Sequence, residues 1–152
     1  MTQKKPNILW ICTDQQRFDT LGSSGNTFVK TPNLDNLADE SANFTNSFVQ
    51  SPICMPSRAS FLTGRYPRTT RLRQNGQTIP IEERPISRIL RDAGYYCGLA
   101  GKFHLSPSAP EVNETIERRF NDGYNEFNWA GDPQNQWGNQ EEFLKMIKQQ
   151  MH

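Results

Sequence analysis

Asn7-Ile8-Leu9-Trp10-Ile11-Cys12-Thr13-Asp14 is an unbroken apolar run that ends in a carboxylate. A run with no polar alternation reads as a strand buried on both faces, as in a parallel sheet covered by helices. The rest of the chain alternates helix and strand signals around it. Thr31-Pro32 supplies an N-cap and a proline at the first helical position, opening a short helix with Leu34, Leu37 and Ala38 on one face. Residues 42–48 alternate well enough to predict a second strand. Residues 56–62 predict a helix with Pro56 in its first turn and Gly64 as its stop. Residues 66–82, rich in Pro, Arg, Gln and Gly, predict a long surface loop. Pro85 opens another helix, with Ile86, Ile89, Leu90 and Ala93 on one face and Gly94 at its end. Residues 95–100 predict a short buried strand. The alternation defines an α/β layer architecture: a mostly parallel sheet flanked by helices.

Residues 1–105 hold this core, and residues 106–152 predict a loop-rich tail with a terminal helix over 141–150. The tail carries Phe120, Tyr124, Phe127, Trp129 and Trp137. These could form a platform on which sugar rings stack; the favoured reading is a loop whose aromatics pack against chain beyond this sequence. A net charge of +1 gives no overall field, which implies neither nucleic acid nor an anionic membrane as partner, and the lean apolar content of 34% suits a piece whose surface further chain would cover. The basic stretches Arg65-Tyr66-Pro67-Arg68 and Arg71-Leu72-Arg73 read as solvated loop. Cys12, Cys54 and Cys97 are odd in number and widely spaced, which supports neither a disulfide framework nor a zinc site. Cys12 and Cys97 fall in predicted apolar strands and are expected to be inert. Lys4 and Lys5 precede an apolar run too short for a signal peptide or a membrane span. The expected location is therefore cytoplasmic as written, and periplasmic or secreted if a leader has been removed.

Ligands of open α/β sheets collect beyond the carboxyl ends of strands. Asp14 and Gln15 follow the first predicted strand, and Lys102 and His104 follow the last. Between them, Cys54 is expected just before a helix, where free backbone amides would make an anion site. Arg58, one helical turn on, could reach back over the same face. A reactive cysteine, a helix N-terminus and a guanidinium suit a tetrahedral oxyanion such as sulfate or phosphate. The plainer alternative is a buried structural cysteine.

Cys54-Met55-Pro56-Ser57-Arg58 resembles the C-x-P-S-R signature of the type I, formylglycine-dependent sulfatases, and Leu62-Thr63-Gly64-Arg65 matches its second half. Gly101-Lys102-Phe103-His104-Leu105 resembles that family's G-K-[WF]-H-L segment. Pro32-Asn33-Leu34-Asp35 resembles its usual helix start, and Asp122-Gly123-Tyr124-Asn125-Glu126-Phe127 a stretch found in some bacterial members. The resemblance implies an alkaline-phosphatase-like fold, of which residues 1–152 would be the N-terminal portion, and an activity: hydrolysis of sulfate esters.

It also implies a mechanism. Cys54 would be oxidised by a formylglycine-generating enzyme, and the hydrated aldehyde would attack sulfur, then collapse with release of sulfate. Arg58 would hold the formylglycine, Lys102 would meet a sulfate oxygen, and His104 would serve the collapse step as base. Asp14, Gln15 and the modified Cys54 would face a divalent metal, calcium in the first instance with magnesium or manganese as alternatives, since the ligands are oxygens. Gln15 stands where many members have a second Asp, a departure also seen in the phosphonate monoester hydrolase and choline-sulfatase branches. The ligands are too few for calcium, and the family's remaining ligands and leaving-group acid come from further downstream. The chain is therefore expected to be a fragment, inactive by itself. Within residues 106–152, Glu111, Glu114, Asp122 and Asp132 are the only candidates for further ligands, and weak ones. A phosphonate or phosphate ester hydrolase of the same superfamily, or a non-catalytic truncated product, are the alternatives. The implied substrate is a sulfate ester, with a sulfated glycan preferred.

Overall fold

The computed structural model describes residues 5–107 and 117–130 of the 152-residue chain. The chain divides into two compact units, Met1–Phe48 and Val49–His152. Among the described residues no helix is long and apolar enough to cross a membrane.

The first unit contains helix α1, Pro32–Glu40, preceded by 3-10 turns at Phe18–Thr20 and Gly22–Ser24. α1 starts where Thr31-Pro32 predicts it. Thr31 does more than open the helix. Its Oγ1 accepts from the Gly22 N–H at 2.9 Å and donates to Asp35 Oδ1 at 2.9 Å. Asp35 Oδ1 also accepts from the Ser23 N–H at 2.7 Å, so one carboxylate ties the turn to the first turn of α1. The two strands expected in this unit are absent. No strand forms over residues 7–14 or 42–48, and Leu9, Ile11, Phe44 and Phe48 are exposed. An apolar run becomes a strand only when a neighbour takes its N–H and C=O groups, and propensity cannot supply that neighbour. Leu34 and Leu37 of α1 are exposed as well.

The second unit contains α2 (Cys54–Thr63), α3 (Pro67–Thr70), α4 (Ile86–Asp92), β1 (Gly98–Gly101) and β2 (Glu126–Trp129). α2 ends as expected. Gly64 adopts φ 67°, in the left-handed region that a residue with a Cβ enters at a cost, and its N–H closes on Ser60 O at 2.8 Å. Met55, Ala59 and Leu62, at i, i+4 and i+7, are the buried stripe of α2. They form the core with Leu72, Ile79, Phe103 and Leu105. Each such side chain fully withdrawn from water contributes about 1.5–3 kcal/mol. Leu72 and Ile79 correct the reading of 66–82 as a surface loop: the segment includes α3 and drives two apolar anchors into the core.

β1 and β2 pair in parallel, with Gly98 opposite Glu126, Leu99 opposite Phe127, Ala100 opposite Asn128 and Gly101 opposite Trp129. Residues 95–100 do not form the fully buried strand expected. β1 begins later, alternates exposed and half-buried, and leaves Tyr96 exposed before it. β2 lies within the tail, where the sequence predicts loop. The tail aromatics are also corrected: Phe120, Tyr124 and Phe127 surround Phe103, with ring centroids 6.1, 5.7 and 5.4 Å away. They finish this chain's own core. α4 runs where Pro85 predicts it, although Ile89 and Ala93 are exposed and Ser87 is its buried residue. Ser87 Oγ donates to Asp122 O at 2.5 Å, and Gly123, at φ 91°, lies so close that a Cβ there would fall 2.2 Å from Arg88 Cα. The expected terminal helix over 141–150, together with Trp137, Glu111, Glu114 and Asp132, lies outside the described residues.

Candidate active site

Cys54 is the first residue of α2, with Ile53 as its N-cap, and is half-buried. It was expected just ahead of the helix, facing free amides. That anion cradle is not supported. The Met55 N–H donates to Asn75 Oδ1 at 3.0 Å, Pro56 has no N–H, and the Ser57 N–H closes the first turn on Ile53 O at 3.0 Å. Asn75, a residue with no distinguishing signal in its neighbourhood, therefore serves as a remote cap beside Cys54.

Arg58 follows one turn later and is 7% exposed. Its Nη1 donates to the backbone carbonyl of Lys102 at 2.7 Å. Two segments 44 residues apart in sequence are thus joined by a charged hydrogen bond, the strong kind when buried. Arg65, in the second half of the signature, is likewise engaged: its Nη1 lies 2.7 Å from both Glu83 oxygens, with Glu83 buried. Arg65 is itself exposed, as expected of residues 65–68, but it is anchored to a buried carboxylate.

Lys102 and His104 stand on the loop after β1, each half-buried, with Phe103 between them facing the core. The loop is fixed from three directions. Lys102 O accepts from Arg58, Leu105 O accepts from the Ile79 N–H at 2.9 Å, and the carboxylate of Glu117 accepts from three successive amides. Those bonds run from His104 N to Oε2 at 2.6 Å, from Ser106 N to Oε1 at 2.7 Å, and from Leu105 N to Oε1. Trp129 Nε1 adds a fourth donor at 3.2 Å to Oε2. Burial pushes the Glu117 carboxyl above the ordinary carboxylate range, while these donors pull it back. A single glutamate in a polar tail gives no hint in sequence of this role.

Asp14 and Gln15 lie in the first unit and are exposed. They do not follow a buried strand as expected. Gln15 has φ 51° and His104 φ 61°. With Arg71 they are the three non-glycine residues of positive φ among the described residues, a conformation that costs about 1–3 kcal/mol and concentrates at functional sites. No group of three or more His, Cys, Asp or Glu side chains able to hold a metal occurs among the described residues. Asp122 is already engaged, its carboxylate bridging Arg119 at 2.5 and 2.8 Å and the Tyr124 N–H at 2.9 Å. The other cysteines also differ from expectation. Cys12 is exposed and Cys97 half-buried, and neither lies in a strand.

The sulfatase family model matches residues 6–151. An ulvan-active sulfatase of Formosa agariphila is 45% identical over 115 residues, covering 76% of this chain and 22% of its own length. Among solved structures, the phosphonate monoester hydrolase of Agrobacterium radiobacter superposes with a TM-score of 0.73 at 27% identity, over 97% of this chain and 29% of that one. A second, solved in complex with its substrate D-glucosamine-2-N,6-O-disulfate, gives 0.72 at 26% identity over 88% of this chain and 24% of that one. The chain belongs to the sulfatase family, with the alkaline-phosphatase-like α/β fold of its structural neighbours. It spans 22–26% of the length of the curated relatives it matches. The family generally uses a formylglycine and a divalent metal.

Proposed function

We propose that this chain carries the nucleophile-bearing part of a sulfuric ester hydrolase, with Cys54 as the precursor of its formylglycine. The observation that carries the proposal is the 2.7 Å bond from Arg58 to Lys102 O, which makes one structure of the two segments bearing the site residues. In that arrangement Arg58 offsets negative charge beside residue 54, Lys102 offers an ammonium to a sulfate oxygen, and His104 accepts a proton from a hydroxyl at residue 54. Formylglycine, once formed by a modifying enzyme acting on Cys54, supplies a nucleophilic oxygen and a leaving step that a thiol lacks.

Asp14 and Gln15 fit a hard divalent cation, calcium first, in the kind of donor they offer. They do not fit in number, since calcium takes about six to eight oxygens, and no step is assigned to it here. The substrate class we assign is a sulfated sugar. Support comes from the ulvan-active relative and from the structural neighbour bound to a glucosamine disulfate. Stacking on tail aromatics no longer supports it, because Phe120, Tyr124 and Phe127 are engaged around Phe103.

A second reading, phosphonate or phosphate ester hydrolysis, has its own support in Asp14-Gln15 and in the likeness to the phosphonate monoester hydrolase. The test is kcat/KM for an aryl sulfate and the matched phosphonate monoester. The chain is assayed alone and joined to the C-terminal portion of a family member, each beside Cys54→Ala. Preference for the sulfate, lost in Cys54→Ala, supports the first reading. Preference for the phosphonate replaces it with the second, and turnover that survives Cys54→Ala sinks both.

A further inference from the structure

We propose that Glu117 is the positioning residue of the loop that presents Lys102 and His104. Three consecutive backbone amides converging on one anion make a nest, a geometry suited to binding a free oxyanion. Here the nest at residues 104–106 is filled from within, by a side chain 1% exposed. His104 sits inside it at φ 61°. A non-glycine residue stays in the left-handed region only where its surroundings over-determine it. Glu117 provides that constraint, because its acceptors reach the amide of His104 itself and the next two. With Arg58 on Lys102 O and Ile79 on Leu105 O, each end of the loop is pinned by a different segment of the chain.

Glu117 bonds to these amides and to the Trp129 indole. The indole comes from the last residue of β2, which pairs with Gly101 at the start of the loop. The carboxylate therefore couples the sheet end to the direction in which the His104 side chain leaves the backbone. Glutamine keeps the shape but turns an N–H₂ toward amide donors, so it cannot satisfy all of them. Aspartate keeps the charge and both acceptors one methylene short.

The task assigned to His104 rests on the sulfatase reading, whereas the geometry Glu117 imposes does not, and the experiment separates the two. Amide hydrogen exchange is measured on the full chain as wild type, Glu117→Gln, Glu117→Asp and Glu83→Gln. The last removes a comparably buried carboxylate that is bonded elsewhere. Exchange at residues 104–106 is expected to speed about ten- to a hundredfold in Glu117→Gln, as for loss of a charged hydrogen bond. It should recover in part in Glu117→Asp and stay unchanged in Glu83→Gln.

Aryl sulfate kinetics follow in whichever form turns over, the chain alone or joined to a family C-terminal portion. In Glu117→Gln, kcat should fall about ten- to a hundredfold, the usual cost of losing a group that orients a site residue, while KM stays within about twofold. Unchanged exchange in Glu117→Gln, or equal acceleration in Glu83→Gln, overturns the proposal whatever the kinetics. Exchange as expected without turnover in any wild-type form leaves Glu117 in place and removes the sulfatase reading. Exchange as expected with kcat unmoved shows a staple without a positioning role, and also overturns the proposal.

Discussion

Arg58→Ala tests the link between the two segments. Arg58 is 7% exposed, so its stem is packed as well as its head. The charged hydrogen bond to Lys102 O contributes about 1.5–3 kcal/mol, and losing two buried methylenes beyond Cβ costs about 1.6 kcal/mol more. A total of about 3–5 kcal/mol is expected. For a unit of this size each kcal/mol moves Tm by about 4–8 °C, so Tm should fall by at least about 10 °C. Arg58→Met, which keeps the stem and drops the bond, should fall between wild type and Arg58→Ala. The assay is thermal unfolding of the purified chain followed by circular dichroism, with amide exchange at residues 101–103 as a local readout. If Arg58→Ala unfolds within about 2 °C of wild type, or if Arg58→Met is as stable as wild type, the bond does not hold the loop as argued.

Gly123→Ala should destabilise by about 2–4 kcal/mol, because its Cβ would lie 2.2 Å from the backbone of α4 and the residue sits at φ 91°. A denaturant midpoint equal to wild type at unchanged slope would show that the turn can move aside. Glu117 should make stability depend on pH. Its folded value is raised, so the folded state binds the extra proton, and stability falls as pH rises from the ordinary carboxylate range through the raised value. Denaturant midpoints across that window should decline in wild type and flatten in Glu117→Gln; parallel curves would remove Glu117 as the source.

The helices were legible because their ends are written locally. Thr31-Pro32, Pro85 and Gly64 set boundaries through capping and φ alone, and α1, α2 and α4 appear where those residues put them. Strands depend on partners far away in sequence. The apolar run at 7–14 reads more like a strand than any other stretch, yet it lies exposed. Glu126-Phe127-Asn128-Trp129 does pair, and its polar–apolar alternation was a usable signal hidden in a tail read as loop. The site divides in the same way. Cys54, Arg58, Lys102 and His104 are visible as motif residues, and the structure joins their segments through Arg58. Asn75 and Glu117 act on backbone amides 20 and 12 residues away, and such contacts leave no pattern of residue types. Leu72 and Ile79 were lost among polar neighbours that solvate the segment without lifting it from the core.

The fate of Cys54 is read out by peptide mass spectrometry after co-expression with a formylglycine-generating enzyme. Peptides carrying Cys12, Cys54 and Cys97 are resolved in one digest, beside a control sulfatase modified in the same cells. The thiol-to-aldehyde mass loss and aldehyde-probe reactivity are expected on the Cys54 peptide alone, with Cys12 and Cys97 keeping their thiols. An unmodified Cys54 beside a fully converted control would contradict that expectation, as would aldehyde on either of the other two.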